Sequence, residues 1–289
     1  MKKIIKRGSL MQALILLQLL FVFSTYMAAQ YPLNIIPHNK DKYHVLDSAY
    51  LKITYKLYFI PDVKETKTKV ENNLVLLVGT NNSKFSAKEE IDTPIDTPKV
   101  KQTIHSDVGY LKLEEGRGLN ATEVFKDFKT KTELVTTQLM DGDVFFYEED
   151  IPNQIWELTA EKKMIYSYSC QKAKTTFRGR EYEAWYTNDI PINNGPWKFG
   201  GLPGLILNIS DSTGSYVFEC VGIENPKKKE AIKKYDWPYK KTTRKELYAL
   251  LKRIHNNFVQ WGAGNHKVLL DPNAPKHFDP LPYNPIELN

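Results

Sequence analysis

Cysteine is scarce: Cys170 and Cys220 are the only two in 289 residues. In an oxidising compartment the two either join, closing a loop worth roughly 4 kcal/mol in the chain-entropy account, or pack as small buried hydrophobes. The six histidines, at 38, 44, 105, 255, 266 and 277, form no His-x-His or His-Glu-x-x-His pattern. No Gly-x-Ser-x-Gly elbow occurs, and Gly201 to Gly204 is followed by no Gly-Lys-Ser/Thr, so no phosphate loop is present. No catalytic residue, metal ligand or cofactor is picked out. A strong excess of one charge is lacking too. The formal charge is +6, and four of those positives are Lys2, Lys3, Lys6 and Arg7, which leaves the remaining chain at about +2. That is not the balance of a nucleic-acid protein. The run Lys227, Lys228, Lys229 with Lys233 and Lys234 is either a solvated face or a contact for an anionic surface.

One long apolar run is present, from Leu10 to Phe23. It follows the basic head and ends in Ala28 and Ala29, which predicts a cleavable signal peptide over residues 1–29. The run is short for a bilayer span of about 20 residues, and no later segment offers a transmembrane helix. The remaining residues, 30–289, are expected to form one β-rich domain of an exported protein.

What is abundant is aromatic: 17 Tyr, 13 Phe and 5 Trp, a composition that favours strands. Leu51, Ile53, Tyr55, Leu57 and Phe59 alternate with Lys52, Thr54 and Lys56, the pattern of a half-buried strand. Leu74 to Val78 is a short apolar strand. Residues 80–118 show no clear period and contain Thr93-Pro94 and Thr97-Pro98; they are expected to be a loop or insertion. Asn120 with Glu123 has the spacing of a helix cap. Hairpins follow: Glu133–Met140 with Asp143–Tyr147 around Asp141-Gly142, Gln154–Leu158 with Met164–Lys172 joined by a charged link at Ala160–Lys163, Thr175–Phe177 with Tyr182–Thr187 around Arg178-Gly179, and Leu205–Ser210 with Tyr216–Ile223. One helix is clear. Thr243 and Glu246 form a capping box, and Leu247, Leu250, Leu251, Ile254 and Phe258 make an apolar stripe. The tail from Leu270 is Pro-rich and extended. The expected fold is α+β, mainly β: a long curved antiparallel sheet, a half-open barrel similar in architecture to lipoprotein carriers, with the helix packed on its concave side.

The most distinctive stretch runs from Tyr168 to Ile223. It contains Tyr-Ser-Cys-Gln-Lys-Ala at 168–173, Phe-Arg-Gly-Arg at 177–180, Ala-Trp-Tyr at 184–186, Ile-Pro-Ile at 190–192 and Gly-Pro-Trp-Lys-Phe-Gly-Gly-Leu-Pro-Gly-Leu-Ile at 195–206, and the chain closes with Asn-Pro-Ile-Glu-Leu at 284–288. In that order these elements resemble the GLPGLI family, named after the motif at 201–206. The resemblance covers residues 40–289 and is sharp from 155 onward. It implies an exported protein of a Bacteroidetes-type envelope, in the periplasm or at the cell surface of a Gram-negative bacterium, and it carries no established activity.

Physically, Leu202-Pro203-Gly204-Leu205 fits a type II turn, with Pro second and Gly third. Gly200-Gly201 permits unusual dihedrals or close backbone approach. Trp197 and Phe199 then either plug a corner or form a lip over an apolar groove. With Trp185, Gly201, Leu202, Pro203 and Gly204 they are the ligand-binding candidates. Arg178, Arg180 and Lys172 either bind a carboxylate or phosphate or are sheet-surface charges. The expected function is non-enzymatic: binding an apolar small molecule or an envelope protein. The alternatives are an envelope hydrolase with dispersed catalytic residues and a structural scaffold.

Overall fold

A computed structural model describes residues 40–88, 122–139, 142–258, 260–261 and 279–289. The signal-peptide segment, residues 89–121, Gly262 and Gly264 lie outside them. Fourteen strands and one long helix occur among the described residues: β1 (Tyr43–Ala49), β2 (Leu51–Phe59), β3 (Val70–Val78), β4 (Asn82–Ala87), β5 (Thr122–Asp127), β6 (Thr132–Gln138), β7 (Val144–Asp150), β8 (Glu157–Ile165), β9 (Tyr168–Phe177), β10 (Arg180–Thr187), β11 (Leu205–Asp211), β12 (Tyr216–Glu224), β13 (Glu230–Tyr235), β14 (Tyr239–Lys241) and α1 (Arg244–Asn256). Twelve strands join one sheet in the order β14-β7-β6-β5-β4-β3-β2-β12-β11-β10-β9-β8. Every pairing in it is antiparallel except β14 on β7. The protein is therefore mainly β, with a large curved open sheet and one helix.

The alternation in β2 does what it promises. Leu51, Ile53, Tyr55, Leu57 and Phe59 are buried on one side, while Lys52 and Lys56 on the other reach Glu230 and Glu71. In β3 the run Leu74–Val78 is buried on both faces. The reason is a second layer. β1 and β13 pair as a separate two-stranded ribbon, and its Ala49 and Ile232 pack on Val75 and Leu77 from outside. A strand covered on both sides has no need to alternate.

Thr243 caps α1 as the sequence proposes: its side chain accepts from the Glu246 N–H, and Glu246 returns the bond to the Thr243 N–H. Leu247 and Leu251 pack on the main core, and Ile254 and Phe258 form a small satellite core with Leu139 and Leu281.

Three expectations change. Residues 82–87 of the expected loop form β4, and the residues after Asn120 form β5 rather than a helix. Both strands bury polar side chains (Ser83, Lys84, Ser86, Glu123 and Lys126), with Lys84 ion-paired to Glu123, so no apolar period marks them. The charged stretch at Ala160–Lys163 is not a link but the middle of β8. As the last strand of the sheet, β8 is solvated along nearly its whole length, which removes the pattern.

Candidate functional site

The chain between β10 and β11 crosses the inner side of the sheet and is pinned at its base by Leu205 N–H to Ile190 O and Ile206 N–H to Asn194 O, both 3.0 Å. Trp197 stands in the left-handed region at φ 51°, a conformation that costs a non-glycine residue on the order of 1–2 kcal/mol. Packing holds it there. Trp197 is 1% exposed and Phe199 not at all. Their rings meet Phe177, Tyr182 and Phe218 edge-on at centroid distances of 4.7–6.3 Å. Both rings are thus buried in the core, and Trp197 also borders a pocket.

Between these aromatics, Lys198 is buried with a side-chain exposure of 0%. Its Nζ meets Glu149 at 2.5 Å, Glu287 at 2.9 Å and Glu133 at 3.4 Å, and it donates to the Tyr147 hydroxyl at 2.9 Å. Arg178 holds Glu149 at 2.8 Å, and Arg244 holds Glu287 at 3.0 Å. Burial pushes the Glu133 carboxyl up to about 7 against the pull of Lys198 and Lys126. Burial is the largest single influence on Glu149 and raises it, but the charge and hydrogen bond of Lys198 together with the Arg178 charge hold it below the usual carboxylate range. The backbone of the segment is equally engaged. Gln154 donates to Lys198 O and accepts from Gly200 N–H, the Trp156 indole donates to Gly200 O, and Lys126 donates to Phe199 O.

The type II turn at 202–205 is not formed. Gly201, not Gly204, takes the positive φ, at 84°. Gly204 is needed for space instead: a Cβ there would lie 1.9 Å from the Thr187 carbonyl oxygen. Leu202 is buried and Pro203 exposed.

Arg178 and Arg180 are neither sheet-surface charges nor open anion receptors. Arg178 opens a two-residue hairpin with Gly179, both at positive φ, the dihedral signature of a type I′ turn, and turns its guanidinium to Glu149. Arg180 pairs with Asp211 at 2.8 Å and grips the tail through Asn284 Oδ1 and Pro285 O, both 2.6 Å. Lys172 is a surface charge between Glu161 and Glu183. Trp185, half-buried, stacks under Lys163 at 4.2 Å. Cys170 and Cys220 are free and buried, on strands β9 and β12, which have β11 and β10 between them in the sheet. Each thiol contacts a carbonyl two residues away in its own strand, and burial raises Cys220 to about 11.

Sequence reasoning missed Lys198 and its three carboxylates, because glutamates on three different segments carry no spacing signal. One indication was available: Lys198, Arg178, Arg180, Asn284 and Glu287 all belong to the quoted motifs, and the fold brings those motifs together.

Beside Trp197 lies a partly open pocket of about 140 Å³, lined by β-strand side chains, α1 and the tail. Its walls include Tyr147, Tyr216, Leu247, Leu251 and Ile286. A larger and more open groove elsewhere, of about 500 Å³, is lined by Trp156 together with the charged Glu157, Lys174, Glu181 and Glu183. Among the described residues no three His, Cys, Asp or Glu are grouped as metal ligands, and no helix is long and apolar enough to cross a membrane.

The fold is a mainly β architecture, a twelve-stranded sheet crossed by the motif segment. Residues 64–248 match the family described as N-glycanase peptide, N-terminal domain, and the chain belongs to that family. Two solved structures of PNGF-II are similar to it. In space group P21 the likeness has 17% identity and a TM-score of 0.46, covering 72% of this chain and 34% of that one. In space group C2 it has 17% identity and a TM-score of 0.45, covering 71% and 33%. The chain thus spans about a third of the length of the protein it matches. No curated protein matches it.

Proposed function

We propose that this is an exported envelope protein of the GLPGLI type that holds a small apolar molecule, without catalysis, in the cavity beside Trp197. The observation that carries the reading is the cavity: it is walled by aromatic and aliphatic side chains and stands directly against the motif segment. Its volume suits a molecule of benzene-like size, since an apolar cavity of about 150 Å³ binds benzene. The hydrolase alternative requires carboxylates free to act. The convergent ones here, Glu133, Glu149 and Glu287, all face the Lys198 ammonium, and Arg178 and Arg244 engage the last two. Export is supported by the basic head and apolar run of residues 1–29.

Native mass spectrometry of the protein, taken from its own envelope without detergent, tests this. The expected spectrum carries an extra mass on the order of 100 Da, lost on unfolding. A bare polypeptide mass contradicts the proposal. A protein-sized adduct replaces it with partner docking, for which the exposed Leu158, Met164 and Tyr166 along β8 and its adjoining turn offer a surface.

A further inference from the structure

We propose that the two-stranded β1–β13 ribbon is a docking surface for an anionic lipid bilayer. The inference is independent of the pocket beside Trp197.

The ribbon is anchored by Ala49 and Ile232, which pack on Val75 and Leu77. Beyond them β1 is solvated: every residue from Asp41 to Leu46 is exposed. Three of these six are large apolar or aromatic side chains, Tyr43, Val45 and Leu46, and Tyr50 just past the strand is exposed as well. A strand that packs one face on a core buries alternate positions. Here the consecutive Val45 and Leu46 both meet water, beside the bulge between Val45 and Asp47. None of the four side chains belongs to a buried core cluster.

Lysines surround these apolar groups. Lys233 and Lys234 stand opposite Val45 and His44 across the ribbon, and Lys233 Nζ lies 4.1 Å from the centre of the Tyr43 ring. Lys42 precedes β1, and Lys227, Lys228 and Lys229 lead into β13. All four are exposed, and no carboxylate pairs with them among the described residues. Residues 224–236 carry five lysines against Glu224, Glu230 and Asp236. Two carboxylates of the ribbon are engaged within the fold. Glu230 pairs with Lys52 at 3.4 Å, and Asp47 accepts from the Ser48, Asn81 and Asn82 N–H groups.

Charge complementarity selects the occupant. Lysine is depleted in protein interfaces, which disfavours a protein partner. The chain's near-neutral charge balance disfavours a nucleic acid. A lipid surface takes both halves of the pattern. Anionic headgroups attract the lysines, tyrosine rings settle at the headgroup level, and isolated aliphatic side chains reach the acyl boundary.

The test is co-sedimentation of the mature chain with vesicles of phosphatidylethanolamine and phosphatidylglycerol, and with vesicles of phosphatidylcholine alone. Binding is expected on the first and not on the second, and it is expected to weaken strongly at about 1 M salt, where the screening length falls to about 3 Å. The triple variant Lys227→Gln, Lys228→Gln, Lys229→Gln is expected to bind on the order of a hundredfold more weakly. Val45→Asp is expected to lose on the order of tenfold. The control removes the same charge from the β2–β3 loop, at the other end of those strands: Lys64→Gln, Lys67→Gln, Lys69→Gln, all exposed positions, with affinity expected to stay as in the parent. All these side chains are exposed, so the variants are expected to melt as the parent does. Should Val45→Asp unfold, the two lysine triples decide. Absence of binding to the phosphatidylglycerol vesicles, or equal binding to phosphatidylcholine, overturns the proposal. Equal losses in the two lysine triples also overturn it, since net charge rather than this ribbon would then drive the attraction.

Discussion

Replacing Lys198 with methionine is expected to destabilise the fold by about 3–5 kcal/mol, the usual cost of removing one partner from a buried ionic group. Methionine keeps most of the volume and stays apolar, so packing is not the cause. What is lost is the one group among the described residues whose ion pairs reach all three of Glu133, Glu149 and Glu287. The deficit should depend on pH. In the native protein the Glu149 carboxyl is held below its ordinary pKa, and such a group contributes stability that is present above the unfolded pKa, near 4.5, and lost as pH falls through the folded one. The variant lacks that contribution. Its deficit is therefore largest near neutral pH and shrinks in acid, where the carboxylates protonate in both proteins. Urea denaturation at about pH 7.5 and about pH 3, the latter below the ordinary carboxylate range, measures this. A deficit under about 1 kcal/mol at both values, the size of a surface pair, would show that the cluster is not a lock.

Phe199→Ala is expected to cost a similar amount, about 3–5 kcal/mol, from lost burial and the cavity left behind. Phe199 is fully buried against Tyr182, Phe177, Trp197 and Phe218, so little can collapse into the space. A lip residue behaves differently, since its truncation weakens ligand binding and leaves the midpoint of thermal unfolding in place. Calorimetry of Phe199→Ala separates the two. A midpoint within a degree or two of the parent would return the segment to the role of a lip.

The parts of the fold that can be read from the sequence are those where one face of an element meets the core and the other meets water. β2 and α1 are of that kind, and so are the hairpins around Arg178-Gly179 and between β11 and β12. β4 and β5 hide because their inward side chains include Lys84, Glu123 and Lys126, which find partners only across the sheet. β8 hides because an edge strand is wet on both faces. For the site, the segment around Trp197 stands out in the sequence, but its role does not. Gly204 illustrates why: Pro-Gly suggests a turn dihedral, whereas the true constraint is the Thr187 carbonyl, seventeen positions earlier in the chain. Lys198 illustrates it again. A lysine between two aromatics resembles a solvated charge until Glu133, Glu149 and Glu287 arrive from β6, β7 and the tail.

The account stands on the 195–206 segment being an internal plug held by Lys198. Native-state hydrogen exchange of its backbone amides tests that most directly. The Phe199 and Ile206 amides, bonded to Pro196 O and Asn194 O, are predicted to open only with global unfolding, with the same free energy as the amides of β2. Exchange at these amides by local opening, far faster than in β2, would contradict the plug and with it the pocket beside Trp197.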